Sequence, residues 1–506
     1  MKVASPLLLL SSLLVSVLAS PGPINNGPRP SRPLPPVQSN QLRRLLLRSN
    51  LLKHADALEE QAKLSDGNRA FGTKAHNATV DYIKRKLDAT GYYDTELQTF
   101  EYLFSEGTAN FTAVIAGAQK NYDTEWFTYG PAGTVEAKVV IVNELGCVAT
   151  NFPAEVKGSI ALIKRGSCEF GLKIALAGAA GAAGAVIYNN VDAPVGGGTL
   201  GQPSRPEGPY VPAASLSGID GNALVASVAA GEVKGKVFVD AINEMRYTSN
   251  VLATTKGGDK NHIVMAGGHT DSVPAGPGIN DDGSGAMGLL EIALRLPKWS
   301  VRNAIRFGFW TAEEYGLVGS EHWVTSLTAE QTSSIALYLN ADMIASPNFG
   351  YFLYDGDGSA FNVTGPAGSD HIEHLFESYF TSVGIRSAPT AFDGRSDYGP
   401  FLDAGIPSGG IFTGAEGIKT AQEAEWWGGR AGQAYDPNYH LAGDGRVNLD
   451  VGAWVQNTKA FAHALATYAN SLEGIPRMNK RGVLEKKQIS HDKRRHAACN
   501  HEFSEI

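Results

Sequence analysis

The chain has 506 residues, of which 43% are hydrophobic and 19% are charged. Because a domain has about 150 residues on average, this length predicts roughly three domain-sized units, and the apolar content excludes a disordered or fibrous protein. The formal net charge is −8, from 43 Lys and Arg against 51 Asp and Glu. This balance argues against a nucleic-acid partner and against binding to an anionic membrane, since both need a basic surface.

The first 19 residues have the pattern of a secretory signal peptide. Lys2 precedes an apolar run over 7–18, and the small residues Ala19 and Ser20 follow. A run of this length is too short to span the ~30 Å hydrocarbon core of a bilayer, so we expect cleavage after Ala19 rather than a membrane anchor. Residues 20–38 are rich in proline and predict a leader or propeptide. We expect an extracellular protein with no membrane segment after cleavage, and a vacuolar location is the alternative.

Two further features agree with the secretory pathway. Asn-x-Thr motifs without an intervening proline predict glycosylation at Asn77, Asn110 and Asn362. Of the three cysteines, we expect Cys147 and Cys168 to form a disulfide, which would close a modest loop in an oxidising compartment. Cys499 has no evident partner and lies in the basic segment 475–506, which we expect to be a tail outside the folded domains.

Residues 39–119 predict a first folded unit. Their apolar spacing is helical at first and strand-like later; the predicted helices are 41–64 and 73–88, and the predicted strands are 95–104 and 110–115.

Residues 120–243 predict an inserted, β-rich domain. A helix of small residues at 173–183 lies among short β-like runs, which are 138–142, 159–163, 185–188 and 236–239. The segment has no cluster of titratable residues that could perform chemistry.

Residues 244–474 predict a further unit, in which strands alternate with helices. The predicted strands are 262–266, 304–310 and 334–340, and the predicted helices are 284–296 and 316–327. Such alternation predicts a mostly parallel sheet with helices on both faces, and therefore an α/β fold.

Charged side chains follow each of these strands. They are His269 and Asp271 after the first, Asp281 and Asp282 in a glycine-rich turn, Glu313 and Glu314 after the second, and Asp342 after the third. In an open α/β sheet the ligand crevice lies outside the carboxyl ends of the strands, so we expect these groups to meet. That many carboxylates repel one another unless a cation neutralises them.

Two zinc ions fit this set of groups. Histidine with carboxylates suits Zn²⁺, and a carboxylate placed between two ions suits a dinuclear site. A solvated acidic face is the alternative, but it does not explain why each group ends a buried strand. The chain has no G-x-S-x-G and no H-E-x-x-H motif, which argues against two other hydrolase classes.

Five separated motifs resemble those of the secreted dinuclear-zinc aminopeptidases, of the aminopeptidase Y and fungal leucine aminopeptidase 2 type. They are His269-Thr-Asp-Ser, Gly278-Ile-Asn-Asp281-Asp-Gly, Trp310-Thr-Ala-Glu313-Glu314, Asn340-Ala-Asp342-Met and Tyr439-His440. The inserted segment resembles a protease-associated (PA) domain, through Gly146-Cys147 and Ile163-Lys-Arg-Gly-Ser-Cys168-Glu-Phe. The resemblance covers residues 40–474 and implies one catalytic domain in two parts, 39–119 and 244–474, with the PA domain 120–243 inserted between them.

The resemblance implies five metal ligands. His269 and Asp342 would bind one zinc, and Glu314 and His440 would bind the other. Asp281 would bridge the two ions.

It also implies roles for four residues that do not bind metal. Glu313 would be the general base, and Tyr439 would donate its hydroxyl to the oxyanion of the tetrahedral intermediate. Asp271 would hold the second ring nitrogen of His269, as a carboxylate behind a zinc-bound histidine usually does. Arg395 would contact the bound peptide, and a structural salt bridge is its alternative role.

One departure from the family concerns the loop of His440. Many relatives have a cysteine before the Tyr-His pair and another three residues after it, and here these positions are Asn438 and Gly443. We therefore expect packing and hydrogen bonds, rather than a disulfide, to hold this loop.

The predicted function is the release of N-terminal amino acids, such as Leu, from peptides with free N-termini. Met343, Ile411 and Phe412 are candidates for an apolar pocket that would favour such residues. The alternatives are a carboxypeptidase or a glutaminyl cyclase on the same fold, and a PA-bearing ectodomain without activity. We expect a monomer.

Overall fold

The computed structural model describes Met1, residues 33–195 and residues 198–477. The predicted signal peptide beyond Met1, most of the predicted leader and nearly all of the predicted tail lie outside these residues. Within them, no helix is both long enough and apolar enough to cross a membrane.

The end of the predicted leader is part of the folded catalytic domain. The amide of Val37 donates to the carbonyl of Ser300 at 2.9 Å, and the Val37 side chain is buried in the core. Burial of this apolar side chain stabilises the fold. The folded domain therefore begins before residue 39, which was its expected start.

The chain forms 15 strands. They are β1 Tyr93–Ile115, β2 Ala118–Tyr122, β3 Phe127–Thr128, β4 Gly133–Ile141, β5 Ile160–Lys164, β6 Gly184–Tyr188, β7 Gly198–Thr199, β8 Ala213–Leu216, β9 Lys234–Thr255, β10 Asp259–His269, β11 Asn303–Trp310, β12 Ile335–Ala341, β13 Phe352–Tyr354, β14 Ala388–Thr390 and β15 Ser408–Phe412 within the described residues.

Twelve α-helices accompany these strands in the described part of the chain. They are α1 Ser39–Arg43, α2 Arg48–Ala62, α3 Lys74–Asp88, α4 Phe170–Ala179, α5 Gly218–Ala230, α6 Gly283–Arg295, α7 Val318–Ser326, α8 Ala329–Ser334, α9 Ser369–Ser382, α10 Tyr398–Asp403, α11 Ala421–Trp427 and α12 Val451–Asn470.

The predicted helix 41–64 is two helices, α1 and α2, separated by a turn. The turn allows Leu42 and Leu46, and then Leu51 and Leu58, to reach the same core. A straight helix would have moved one of these pairs out of it. The prediction of helix is confirmed for most of this range, but the turn between α1 and α2 was not predicted.

The catalytic sheet is mostly parallel, as the sequence predicts. β10 lies between β11 and β12 with parallel pairing on both sides, and β12 pairs in parallel with β15. β9 closes the other side, antiparallel to β11. The α/β prediction is confirmed.

Helices cover both faces of this sheet because its strands alternate. On β10, Val264 faces a core shared with α2, α6 and α12, and Met265 faces a second core that contains Trp323 of α7 and Phe401 of α10. On β12, Tyr338 points to the same second core and stacks on Phe401 with ring centroids 3.7 Å apart. Burial of each such side chain contributes about 1.5–3 kcal/mol.

Two long strands connect this sheet to the inserted domain. β1 and β9 pair continuously, from Tyr93 opposite Thr255 to Val114 opposite Lys234. The two predicted strands 95–104 and 110–115 are therefore one strand, because the residues between them, including Gly107, also pair with β9.

The inserted domain extends the sheet from β9 through β4, β5, β6 and β8. α4 packs on β6, and its small residues allow a close approach; a Cβ at Gly178 would lie 1.9 Å from the carbonyl oxygen of Pro209. Cys147 and Cys168 form the predicted disulfide, with sulfur atoms 2.03 Å apart.

Candidate functional site

The predicted site residues come together at the carboxyl ends of three adjacent strands. His269 is the last residue of β10, and Asp342 follows β12 directly. Glu313 and Glu314 lie in a 3₁₀ turn just after β11. Parallel neighbours end at the same edge of a sheet, so the fold itself brings these side chains to one place.

Asp281 lies between two histidines. Its Oδ1 atom is 3.2 Å from Nε2 of His269, and its Oδ2 atom is 3.2 Å from Nε2 of His440. Each histidine has a second carboxylate nearby: Oδ1 of Asp342 is 3.8 Å from His269, and Oε2 of Glu314 is 3.0 Å from His440. The structure thus brings together all five predicted ligands.

Glu313 points to the His269 side of the site. Its Oε2 atom is 3.9 Å from Nε2 of His269, and its backbone amide donates to Oδ1 of Asp271 at 3.2 Å. Asp271 lies beside Nδ1 of His269 at 3.7 Å, which is an ion-pair distance and longer than a hydrogen bond. The two adjacent glutamates therefore face different histidines.

Burial shifts the protonation of these carboxyl groups. Burial, and then the charge of Asp281, raises the pKa of Glu314 to about 7. Burial is also the main cause that raises the pKa of Asp342 to about 6 and that of Glu313 well above its ordinary value. Burial opposes the ionisation of Asp281 too, but hydrogen bonds from His269 and His440 outweigh it and lower the pKa of that carboxyl.

These groups fit a metal. One oxygen of Glu314 is buried without a hydrogen-bond partner. Ligand atoms of His269, Asp281 and Glu314 all lie within 4.8 Å of one another. Buried carboxylates that repel one another, with Nε2 of a buried histidine facing two of them, are the donors that Zn²⁺ takes.

Asp282 lies next to the proposed ligands, but its carboxylate binds backbone amides. Its carboxylate accepts from the amides of Gly285 at 2.8 Å, His269 at 3.0 Å and Met343 at 3.1 Å. It thereby caps the N-terminus of α6 and fixes the ends of two strands. With these bonds made, we do not assign it as a ligand.

Two residues that sequence reasoning missed hold the site loops. Arg69 is fully buried and donates to the carbonyls of Thr270, Pro277 and Gly278. Asp444 accepts from the amide of Asp281 at 3.0 Å and from that of the preceding residue at 2.9 Å. Both act on backbone groups, so neither belongs to a recognisable side-chain motif.

Packing and hydrogen bonds hold the loop of His440, which lacks the two cysteines of many relatives. The side-chain oxygen of Asn438 would be 2.1 Å from a Cβ placed on Gly443, so the asparagine fills the space beside that glycine. Asn438 also donates to Asn448 at 2.6 Å. Asn448 in turn donates to both oxygens of Asp436 at 2.9 Å.

Tyr439 and Arg395 lie at the same cavity as the ligands. The Tyr439 ring stacks on the imidazole of His440, with centroids 3.8 Å apart. Arg395 forms an ion pair with Glu416 at 2.7 Å, and its Nη2 atom is 3.2 Å from the Tyr439 hydroxyl.

Of the predicted apolar pocket, Met343 and Phe412 line the cavity, together with Tyr354. Ile411 does not, because the alternation along β15 turns it into the core. All the lining residues lie between His269 and Tyr439, outside the inserted domain.

The three predicted glycosylation residues, Asn77, Asn110 and Asn362, are exposed. Their modification stays a prediction.

An α/β sheet with a histidine and buried carboxylates at its strand ends, and a second histidine brought to them by a loop, has the architecture of a metal-dependent hydrolase. Residues 250–465 match the model of peptidase family M28, and residues 135–224 match that of the PA domain. The chain is 48% identical to a probable leucine aminopeptidase 2 of Aspergillus fumigatus over 456 residues, which are 90% of each chain. The chain belongs to peptidase family M28.

Solved structures agree with this assignment. An aminopeptidase from Aneurinibacillus sp. strain AM-1 has a TM-score of 0.67 and 25% identity, over 87% of this chain and 98% of that one. A zinc aminopeptidase from Bacillus subtilis, at 24% identity, has the same fold with a TM-score of 0.57, over 83% of this chain and 96% of that one.

Proposed function

We propose that this chain is a secreted zinc aminopeptidase that uses two Zn²⁺ ions to release N-terminal residues, especially apolar ones. The observation that carries the proposal is the position of Asp281, which directs one oxygen to His269 and the other to His440. One ion would be held by His269 and Asp342, and the other by His440 and Glu314, with Asp281 shared. The two Zn²⁺ ions would then carry four positive charges, against three negative charges on the carboxylates of Asp281, Glu314 and Asp342.

The bound ions would supply a Lewis acid that polarises the peptide carbonyl and eases the ionisation of water. Glu313 accepts the proton of the attacking water and returns it to the leaving amine, as a general base must. Tyr439 donates its hydroxyl to the oxyanion. Glu313 and Asp342, which both line the cavity, would bind the free α-amino group, and this would account for the removal of one residue at a time.

The side-chain preference is proposed from three hydrophobic residues in the lining of the cavity. Met343, Tyr354 and Phe412 offer contact to a leucine-sized side chain, and Asp393 and Arg395 line the same cavity. Burial of such a side chain adds about 1.5–3 kcal/mol to substrate binding.

The test compares amino-acid p-nitroanilides with N-blocked peptides, each with and without a chelator. We expect leucine p-nitroanilide to be cleaved, the N-blocked peptides to resist, and zinc to restore the chelated enzyme with two ions per chain. Cleavage of N-blocked peptides at their C-terminus would instead indicate a carboxypeptidase. Cyclisation of N-terminal glutamine without peptide hydrolysis would indicate a glutaminyl cyclase.

The N-terminal pattern and the exposed Asn-x-Thr sites support secretion. We expect the enzyme in the culture medium, beginning after Ala19 or after a further cleavage in the leader. A decrease in mass on deglycosylation would locate modified sites among Asn77, Asn110 and Asn362. Light scattering tests the proposed monomer.

A further inference from the structure

An arginine and a glutamate at the rim of the cavity are joined to the hydroxyl of Tyr439. Nη1 of Arg395 is 2.7 Å from one oxygen of Glu416, and Nη2 is 3.3 Å from the other. The same Nη2 atom is 3.2 Å from Oη of Tyr439, and the guanidinium carbon is 5.9 Å from the centre of that ring. The bidentate pair fixes the plane of the guanidinium and therefore the direction of its bond to the phenol.

The direction of the hydrogen bond between Arg395 and Tyr439 determines whether the phenol can donate its hydrogen to another group. A guanidinium has only donors, so Oη of Tyr439 must be the acceptor. Its single hydrogen is then free to point elsewhere, and Tyr439 lines the cavity together with Glu313 and Asp342.

We propose that Arg395 is a positioning residue that turns the Tyr439 hydroxyl into a donor facing the reacting carbonyl, and that Glu416 holds Arg395 in place for this. The proposal rests on the proposed function of Tyr439. It differs from the expectation that Arg395 contacts the peptide, because here Arg395 acts on the substrate through Tyr439 while Glu416 holds its guanidinium.

Arg395 and Glu416 are exposed, so the proposal can be tested with variants that still fold. The side chains of Arg395 and Glu416 are 52% and 57% exposed. Exposed ion pairs contribute little to folding stability, so variants at both positions should fold. Lys120, which pairs with Asp220 at 2.7 Å in the inserted domain and is 46% exposed, offers a matched control.

The experiment measures kcat, KM and zinc content on leucine p-nitroanilide, which has no downstream peptide for Arg395 to touch. Loss of one oxyanion donor costs about 10²–10³-fold in rate, and we expect Y439F to lower kcat by that factor. R395M should lower kcat by about tenfold, within the ~10²-fold that misplacing a reacting group by 1 Å can cost. E416Q should lower kcat by a smaller factor than R395M does, and K120M should leave kcat unchanged.

The double variant R395M/Y439F decides between the two roles. If Arg395 acts through the phenol, the double variant has the kcat of Y439F alone, with KM and zinc content unchanged. If the losses multiply, or if R395M raises KM for peptides without changing kcat, Arg395 contacts the substrate and the proposal is wrong. A wild-type enzyme that fails to cleave leucine p-nitroanilide would instead refute the proposed function.

Discussion

The replacement of Glu313 by glutamine separates the general base from the metal ligands. The amide has the shape of the carboxylate, and the backbone bond from residue 313 to Asp271, 3.2 Å long, does not depend on the side chain. An amide cannot accept the proton of water, and general-base catalysis contributes about 10²–10⁴-fold. We therefore expect kcat to fall by this factor, or about 3–5 kcal/mol of barrier, while zinc content stays at the wild-type value.

The adjacent glutamate provides the matched control. Oε2 of Glu314 is 3.0 Å from Nε2 of His440, and the Glu313 carboxylate faces His269 instead. Glu314→Gln should therefore lose zinc and activity together. The assay measures zinc per chain and the kcat and KM of leucine p-nitroanilide for both variants. If Glu313→Gln loses zinc and Glu314→Gln keeps it, the roles are reversed; if both stay fully active, the hydrolytic site lies elsewhere.

Three further variants or treatments test the metal centre, its loop and the inserted domain. A chelator should lower the melting temperature and zinc should restore it, because free zinc at 1,000 times its Kd stabilises by about 4 kcal/mol; an unchanged melting temperature would contradict a buried metal. Asn438→Cys with Gly443→Cys should form a disulfide that stabilises by about 2 kcal/mol, since a Cβ on residue 443 would be 3.4 Å from that of residue 438; mass spectrometry with and without reductant checks the bond. Cys147→Ser with Cys168→Ser should cost about 3 kcal/mol of stability in the inserted domain and leave kcat unchanged; a loss of kcat would show that this domain acts on the site.

The sequence predicted β10, β11 and β12 of the catalytic sheet because each has a local signal, and it did not predict β13, β14 and β15. The apolar run before His269 alternates between two cores, and the charged groups follow it immediately. The continuous length of β1 has no such signal. Residues near Gly107 form a strand because they pair with Ala241, which lies far away along the chain.

The five proposed ligands lie in recognisable motifs, and the groups that hold them do not. The proposed ligands are histidines and carboxylates, and the structure brings together the five that the resemblance named. Arg69 instead donates to three backbone carbonyls, and any loop offers such acceptors. Glu416 was missed for a similar reason, since its effect on the site passes through Arg395.

The loop of His440 shows how a missing disulfide can be replaced. A cysteine pair would fix only the loop itself, but Asp444 accepts from the amides of both Asn280 and Asp281 and so connects the loop directly to Asp281. Asn448 then links Asp444 to Asp436 and satisfies carboxylate oxygens that would be costly to bury alone. The rigidity of the site therefore comes from buried hydrogen bonds between two loops. The disulfide proposed above removes the bond from Asn438 to Asn448 but keeps those of Asp444 and Asp436, so it should leave zinc binding unchanged.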